Sequence, residues 1–179
     1  GYSVDSYTYA ITSHMLGMFL PGLVSGQIIS RFGTWATTFV GFILFPVGGA
    51  VFLINDSIAM FVLGITIVGI GWNLSFVGPS AEVSKIYSHN PSEQTKVLGF
   101  NDSIMLLTVG TFFLTASKIY LAVGWNVFNF ILIGFSVFSA LLALCRGLCK
   151  WMGSDGDDNS FSGDSLAQSL LTAGSIYTL

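Results

Sequence analysis

Long apolar stretches almost free of charge alternate with short polar segments along the whole chain. Five such stretches cover approximately residues 7–30, 35–54, 58–80, 103–118 and 125–144. A helix needs about 20 apolar residues to cross the roughly 30 Å hydrocarbon layer of a bilayer, where unpaired backbone polar groups are not tolerated. The pattern therefore predicts an all-α fold: a polytopic membrane bundle with five transmembrane helices.

The segments between these stretches predict how the helices connect. Short turns join the second span to the third and the fourth to the fifth, so these neighbours should be antiparallel. A longer polar connector, EVSKIYSHNPSEQTK, precedes the fourth span and contains the turn signal Asn90-Pro91. We expect residues 1–150 to form the transmembrane domain. Residues 151–179 are rich in Gly, Ser and Asp and lack periodicity, which predicts a disordered tail.

The composition identifies lipid as the surrounding solvent. Charged residues make up 8% of the chain and hydrophobic residues 53%, with a mean hydropathy of +0.76. Soluble domains carry about 25% charged residues, so this chain could not cover a surface exposed to water. The bilayer is thus the first expected partner. No basic cluster interleaved with aromatic residues is present, and we expect no nucleic-acid binding.

The basic residues predict an orientation. In the five-span topology one side of the membrane collects five of them, and the other side has only Lys118; the five are Arg31, Lys85, Lys96, Arg146 and Lys150. Cytoplasmic loops carry the excess of Lys and Arg. We therefore expect the C-terminus to be cytoplasmic, in a multi-pass protein of a plasma membrane or bacterial inner membrane.

The first span contains a proline and a pair of glycines with structural consequences. Pro21 lies in mid-span, where it removes a backbone hydrogen bond and should bend the helix. Gly22 and Gly26 form a GxxxG step, which lets helix backbones approach closely in lipid. We assign all three residues to helix packing.

Four polar or polarisable side chains at membrane depth are candidates for solute binding: His14, Met18, Trp72 and Asn73. An ionisable residue inside the membrane is a functional hypothesis by default, so His14 is a candidate solute contact or proton-responsive group. The alternative is a neutral imidazole bonded to a neighbouring helix. Trp72 and Asn73 offer an aromatic plate beside an amide. Alternatively, the tryptophan fills a groove and the asparagine bridges two helices.

Three charged residues near the predicted cytoplasmic face are candidates for gating: Arg31, Glu82 and Asp102. Asp102 could form a salt bridge with Arg31 or Lys85. Its alternative role is structural, since an acid near the start of a helix favours the positive end of the helix dipole.

Enzyme signatures are absent from the sequence. It contains no HExxH, Walker or GxGxxG motif, and Gly134-Phe-Ser136 fails the GxSxG pattern because Phe138 occupies the second glycine position. His14 and His89 fall on opposite sides of the predicted membrane and cannot share a metal. We expect no enzyme activity, no cofactor and no metal.

Three blocks carry a family resemblance: HMLGMFLPGLVSGQIISRFG, GIGWNLSFVGPSAEVSKIY, and NDSIMLLTVG followed by VGWNVFNF. Together they resemble the C-terminal half of major facilitator superfamily transporters, with the five spans similar to helices eight to twelve. GQIISRFG resembles the second copy of that family's G-x-L-x-D-R-x-G loop motif, although Ser30 stands in place of the acid and Thr34-Trp35 in place of the basic pair.

The resemblance implies a secondary active transporter that moves a small organic solute by alternating access, with proton coupling as one option. It also implies an N-terminal half as a partner, which this sequence lacks. Because the chain begins at Gly1, we expect it to be a piece of a longer protein. The alternative function is a non-transporting membrane adaptor or truncated pseudo-transporter with a regulatory cytoplasmic tail.

Overall fold

A computed structural model of the protein describes residues 3–153, except for the side chains of Lys150 and Trp151. Every regular element in that range is a helix: α1 (Val4–Phe19), α2 (Gly22–Phe32), α3 (Thr34–Phe52), α4 (Ile58–Ile86) and α5 (Pro91–Gly153). The predicted all-α membrane bundle is confirmed. The predicted tail, from residue 154 onward, lies outside the described residues.

Helices α1 and α2 together form the first predicted span. Their axes differ by 41°, and the break lies at Leu20 and Pro21. Proline has no backbone N–H to continue the helical ladder, so the ladder is interrupted where Pro21 stands. Helix α2 ends at Gly33, whose φ of 83° is a left-handed conformation that favours glycine.

Helices α3 and α4 are each long and apolar enough to cross a membrane. Helix α4 has 29 residues and continues to Ile86, past the predicted end of its span near Ser80. The loss of hydrophobicity therefore marks where lipid contact ends and not where the helix ends. The polar connector is correspondingly short, and Asn90 accepts a hydrogen bond from the Glu93 backbone N–H at 3.3 Å as α5 begins.

Helix α5 consists of two helical arms. Its 63 residues would extend about 95 Å if straight, but Gly124 has a left-handed φ of 77° that divides it. Phe112 and Phe128 stack with their ring centroids 6.4 Å apart, whereas 16 residues of straight helix would separate them by about 24 Å. The chain therefore folds back at Gly124. We call residues 91–123 the proximal arm and residues 125–153 the distal arm.

The contacts between helices give alternating crossings with α4 at the centre. Gly41 of α3 lies against Gly71 of α4, and Gly48 lies against Gly64, so α3 and α4 are antiparallel. Helix α1 runs parallel to α4, since His14 pairs with Ile65 and Met18 with Asn73. The distal arm is antiparallel to α3, with Ile133 beside Gly49 and Gly147 beside Trp35.

This topology gives the bundle two ends. The Gly33 end contains Gly33, the 87–90 connector and the last turns of the distal arm. The Asp56 end contains the 53–57 turn and Gly124. An aromatic cluster joins three elements at the Asp56 end: the ring of Trp125 lies 5.9 Å from that of Phe52 and 6.4 Å from that of Phe61.

Most large apolar side chains of the described residues point outward. Leu23, Leu114 and Leu121 are each 80% exposed. An apolar exterior of this extent suits a bundle whose surrounding solvent is lipid, so the chain is a multi-pass membrane protein.

Candidate functional site

The candidate binding residues flank the point where α1 and α4 approach most closely. A Cβ atom on Gly17 would lie 2.6 Å from the backbone oxygen of Thr66, and one on Gly69 would lie 2.5 Å from that of His14. Only glycine permits such an approach of two backbones. The crossing places His14 and Met18 of α1 beside α4.

His14 is half-buried and bridges α1 to α4. Its Nδ1 lies 2.9 Å from the backbone oxygen of Ile65. A carbonyl oxygen only accepts hydrogen bonds, so Nδ1 carries the proton and donates. In the neutral ring Nε2 is then an acceptor. The geometry matches the alternative of an imidazole bonded to a neighbouring helix, and it leaves one ring nitrogen for a further partner.

Asn73 is 9% exposed and stabilises the broken end of α1. Its Nδ2 donates to the backbone oxygen of Met18 at 2.8 Å. Met18 lies in the last turn of α1, where carbonyl oxygens lose their partners within the helix. The amide of Asn73 replaces the missing backbone donor, so the bridging alternative also holds here.

The other end of the Asn73 side chain has no partner. Its Oδ1 is buried and accepts no hydrogen bond from any described residue. Buried polar atoms are nearly always paired, and an unpaired one calls for an explanation such as a ligand or water. Trp72, the next residue, is half-buried on α4.

The three residues assigned to helix packing differ in what surrounds them. Pro21 lies at the break between α1 and α2. A Cβ on Gly22 would lie 3.4 Å from Nδ2 of Asn73, which puts Gly22 beside the candidate site. A Cβ on Gly26 would meet no described atom within 4 Å. The packing role of Gly26 stays a prediction.

The structure shows a different contact for each of the three gating candidates. Glu82 accepts a hydrogen bond from the Thr34 hydroxyl at 2.8 Å. The guanidinium of Arg31 lies 5.6 Å from the ring centre of Phe32. Asp102 accepts from the Asn101 amide at 3.4 Å. Residues 3–153 contain no ion pair between Arg31 and Asp102, so their gating role also stays a prediction.

A row of hydroxyl groups on the proximal arm was not among the site residues predicted from the sequence. Thr108, Thr111 and Thr115, here called the threonine stripe, are exposed and line a shallow groove with Leu107 and Phe112. Each hydroxyl donates to a backbone oxygen one turn earlier. Their spacing of three and four within an apolar span is the signal that could have identified the stripe.

Metal binding has no support in the part of the chain that the structure describes. No three His, Cys, Asp or Glu side chains between residues 3 and 153 lie close enough to share an ion.

Comparison with known proteins identifies transporters. The chain is 34% identical over 131 residues to the riboflavin transporter RfnT of Brucella anthropi, which covers 73% of this chain and 32% of that protein. It is 26% and 24% identical over 110 residues to the uncharacterized MFS-type transporters YddS and YdeG of Bacillus subtilis, covering 60% of this chain and 25% of each. No family model matches, and no solved structure matches. The chain thus spans about a quarter to a third of the length of these relatives.

Proposed function

Because the chain belongs to the major facilitator superfamily of transporters, we propose that it forms part of a secondary active transporter for a small organic solute. Its five crossings would correspond to helices eight to twelve of that fold. A second set of helices would complete the protein, and the solute would bind near the midplane between the two sets and move by alternating access.

The observation that carries this proposal is the broken first span held against α4. Discontinuous helices near the midplane are where transporters of several folds bind their solutes. Here the break at Pro21 is joined to α4 by the hydrogen bond from Asn73 to Met18. The same asparagine keeps a buried acceptor without a partner in the described structure. A purely structural bridge would not need that atom to be unpaired.

Riboflavin is the first solute to test. A relative that shares 34% identity over 131 residues carries the name riboflavin transporter. Riboflavin has a flat ring system that would stack on an indole such as that of Trp72. Its imide N–H and ribityl hydroxyls are hydrogen-bond donors that would suit Asn73.

The Gly33 end is proposed as the cytoplasmic end and the site of the gate. Arg31, Lys85 and Lys96 lie at this end, and cytoplasmic loops carry the excess of positive charge. Arg31, Glu82 and Asp102 would rearrange there when the carrier closes towards the cytoplasm. Proton coupling would involve His14, the ionisable residue nearest to the candidate site.

The proposed partner half would cover the proximal arm. This arm exposes most of its residues, including Leu107 at 77% and Leu114 at 80%. The threonine stripe adds hydroxyls, which are common at helix interfaces in membranes.

Uptake into proteoliposomes tests the proposed function. The full-length protein encoded by the gene would be purified and reconstituted with radiolabelled riboflavin outside. We expect saturable uptake that falls about 5- to 30-fold in Asn73→Ala, because loss of one hydrogen bond to the solute costs about 1–2 kcal/mol.

Asn129→Ala is the matched control. Asn129 is 2% exposed and bonds only to the Trp125 backbone oxygen of its own helix, at 2.9 Å. This variant should lose stability without a change in the half-saturating concentration. Equal uptake by wild type and Asn73→Ala would remove Asn73 from the site. No uptake of any solute would favour the adaptor or pseudo-transporter.

A further inference from the structure

Two side chains at the candidate site each have one polar atom hydrogen-bonded to a backbone oxygen and a second polar atom available to a further partner. His14 donates through Nδ1 to Ile65, and Asn73 donates through Nδ2 to Met18. Both hydrogen bonds use donors of the side chain. A polar atom at each residue can still accept a hydrogen bond: Nε2 of the neutral imidazole and Oδ1 of the amide, whose nitrogen also keeps a second N–H.

We infer that the transporter recognises its solute as a hydrogen-bond donor at two points, Asn73 Oδ1 and His14 Nε2. This inference rests on the proposed function and narrows its solute class to compounds that carry N–H or O–H groups, such as imides, amides and polyols.

The fold determines that Asn73 and His14 donate to backbone oxygens. Rotation of the Asn73 amide would exchange Oδ1 for Nδ2 and leave the Met18 oxygen at the helix break without a partner. Gly22 lies beside this amide, since a Cβ built on Gly22 would be 3.4 Å from Nδ2. His14 is restrained in the same way by the Ile65 oxygen, which can accept but not donate. Both side chains therefore present acceptors in a defined direction.

Burial makes the discrimination strong at Asn73. Its Oδ1 is buried and without a partner among residues 3–153. A solute that lacks the matching donor leaves that acceptor unsatisfied in the bound state. A pair of solutes that differ by one donor should then differ in affinity by about 10- to 100-fold.

The experiment combines changes in the solute with changes in the protein. The probes are riboflavin, its N3-methyl derivative, and matched pairs of small amides and polyols with and without N- or O-methyl groups. Competition with riboflavin uptake would be measured for the full-length protein and for Asn73→Leu, which keeps the volume but has no acceptor. His14→Gln is the conservative variant for the second point, since glutamine can donate to Ile65 and still accept; His14→Phe does neither.

We expect at least a tenfold preference for the donor-bearing member of a pair in the wild type and in His14→Gln. In Asn73→Leu the preference should fall below about threefold for the solute donor that binds Asn73. In His14→Phe it should fall below about threefold for the solute donor that binds His14. Because each comparison is made within one variant, a general loss of folded protein lowers both rates and leaves the ratio unchanged.

The outcomes separate the two proposals. Uptake that does not distinguish methylated from unmethylated solutes would overturn the donor inference and leave the transport function in place. A preference that persists unchanged in both Asn73→Leu and His14→Phe would overturn it as well. Absence of uptake of every probe by the wild type would overturn the proposed function and the inference that rests on it.

Discussion

Helix α4 is packed in two different ways on its two sides, against α3 and against α1. Against α3, glycines seven residues apart on α4 (Gly64, Gly71 and Gly78) meet Gly48, Gly41 and Thr34 of α3. We call this contact the glycine seam. Against α1 there is one close crossing, at Gly17 and Gly69, and two side-chain bridges from His14 and Asn73.

This difference indicates which of the two helix–helix contacts can rearrange. In the glycine seam the two backbones touch along the helix length: a Cβ on Gly71 would lie 2.9 Å from the Gly41 oxygen, and one on Gly48 2.8 Å from the Gly64 oxygen. A seven-residue repeat keeps such a seam facing its partner over several turns. Close-packed surfaces of this kind move as a unit. The α1 side has one such crossing, at Gly17 and Gly69, and two side-chain hydrogen bonds near a helix break, and these hydrogen bonds can be exchanged.

The largest expected effect comes from filling the glycine seam. In Gly41→Leu the new side chain would collide with the backbone of Ser75 and Leu74, where no flexible side chain can yield. We expect a loss of stability at the upper end of the roughly 1–3 kcal/mol typical of overpacking, or complete loss of folded protein. Thermal unfolding of the purified full-length protein in detergent measures the change.

Gly26→Leu is the matched control, because no described atom lies within 4 Å of its Cβ. This variant should fold with a midpoint close to that of the wild type. Equal destabilisation by the two substitutions would show that α3 and α4 are not held by backbone contact.

A smaller effect on stability is expected from introducing a charge at Asn73, which bridges α4 to α1. In Asn73→Asp the donor to Met18 is replaced by an acidic oxygen that faces a carbonyl oxygen, and a charge without a partner at membrane depth is costly. We expect Asn73→Asp to be less stable than Asn73→Leu by about 1–3 kcal/mol. The order is measured from unfolding midpoints of the two variants in one detergent.

An Asn73→Asp variant as stable as the wild type would contradict the role of Nδ2 as the donor that replaces a backbone N–H. The comparison with Asn73→Leu controls for the loss of the amide itself, since both variants lack it.

The apolar stretches of the sequence predicted the helical segments but not how these segments pack. Five apolar stretches correspond to α1 with α2, α3, α4 and the two arms of α5, because hydrophobicity reports directly on contact with lipid. The predicted end of the third span near Ser80 does not mark the end of the helix, since α4 continues to Ile86. A helix does not need lipid to continue, so hydrophobicity alone cannot locate its last turn.

Residue type was enough to single out the candidate site residues, but the atoms to which they bind could not be predicted. His14 and Asn73 were singled out because polar groups at membrane depth need partners. Their partners are backbone oxygens of Ile65 and Met18, and every residue has a backbone oxygen, so no sequence pattern could name them. The glycine seam has the same difficulty: its repeat is visible on α4, but the register with α3 follows only from the fold.

We propose that α3 and α4 stay together while the broken span moves relative to α4. Spin-label distances on the reconstituted full-length protein test it most directly. One pair would join α4 to α2 through Ile86→Cys and Phe32→Cys, and the other would join α4 to α3 through Ile86→Cys and Ala36→Cys. All three positions are exposed, and the background would replace the exposed Cys145 and Cys149 with serine.

On addition of saturating riboflavin, the α4–α2 distance should change by about 3 Å, as a bend of about 10° would produce over the roughly 16 Å length of α2. The α4–α3 distance should stay the same within error. A shift of equal size in both pairs, or a shift confined to the α4–α3 pair, would contradict the claim.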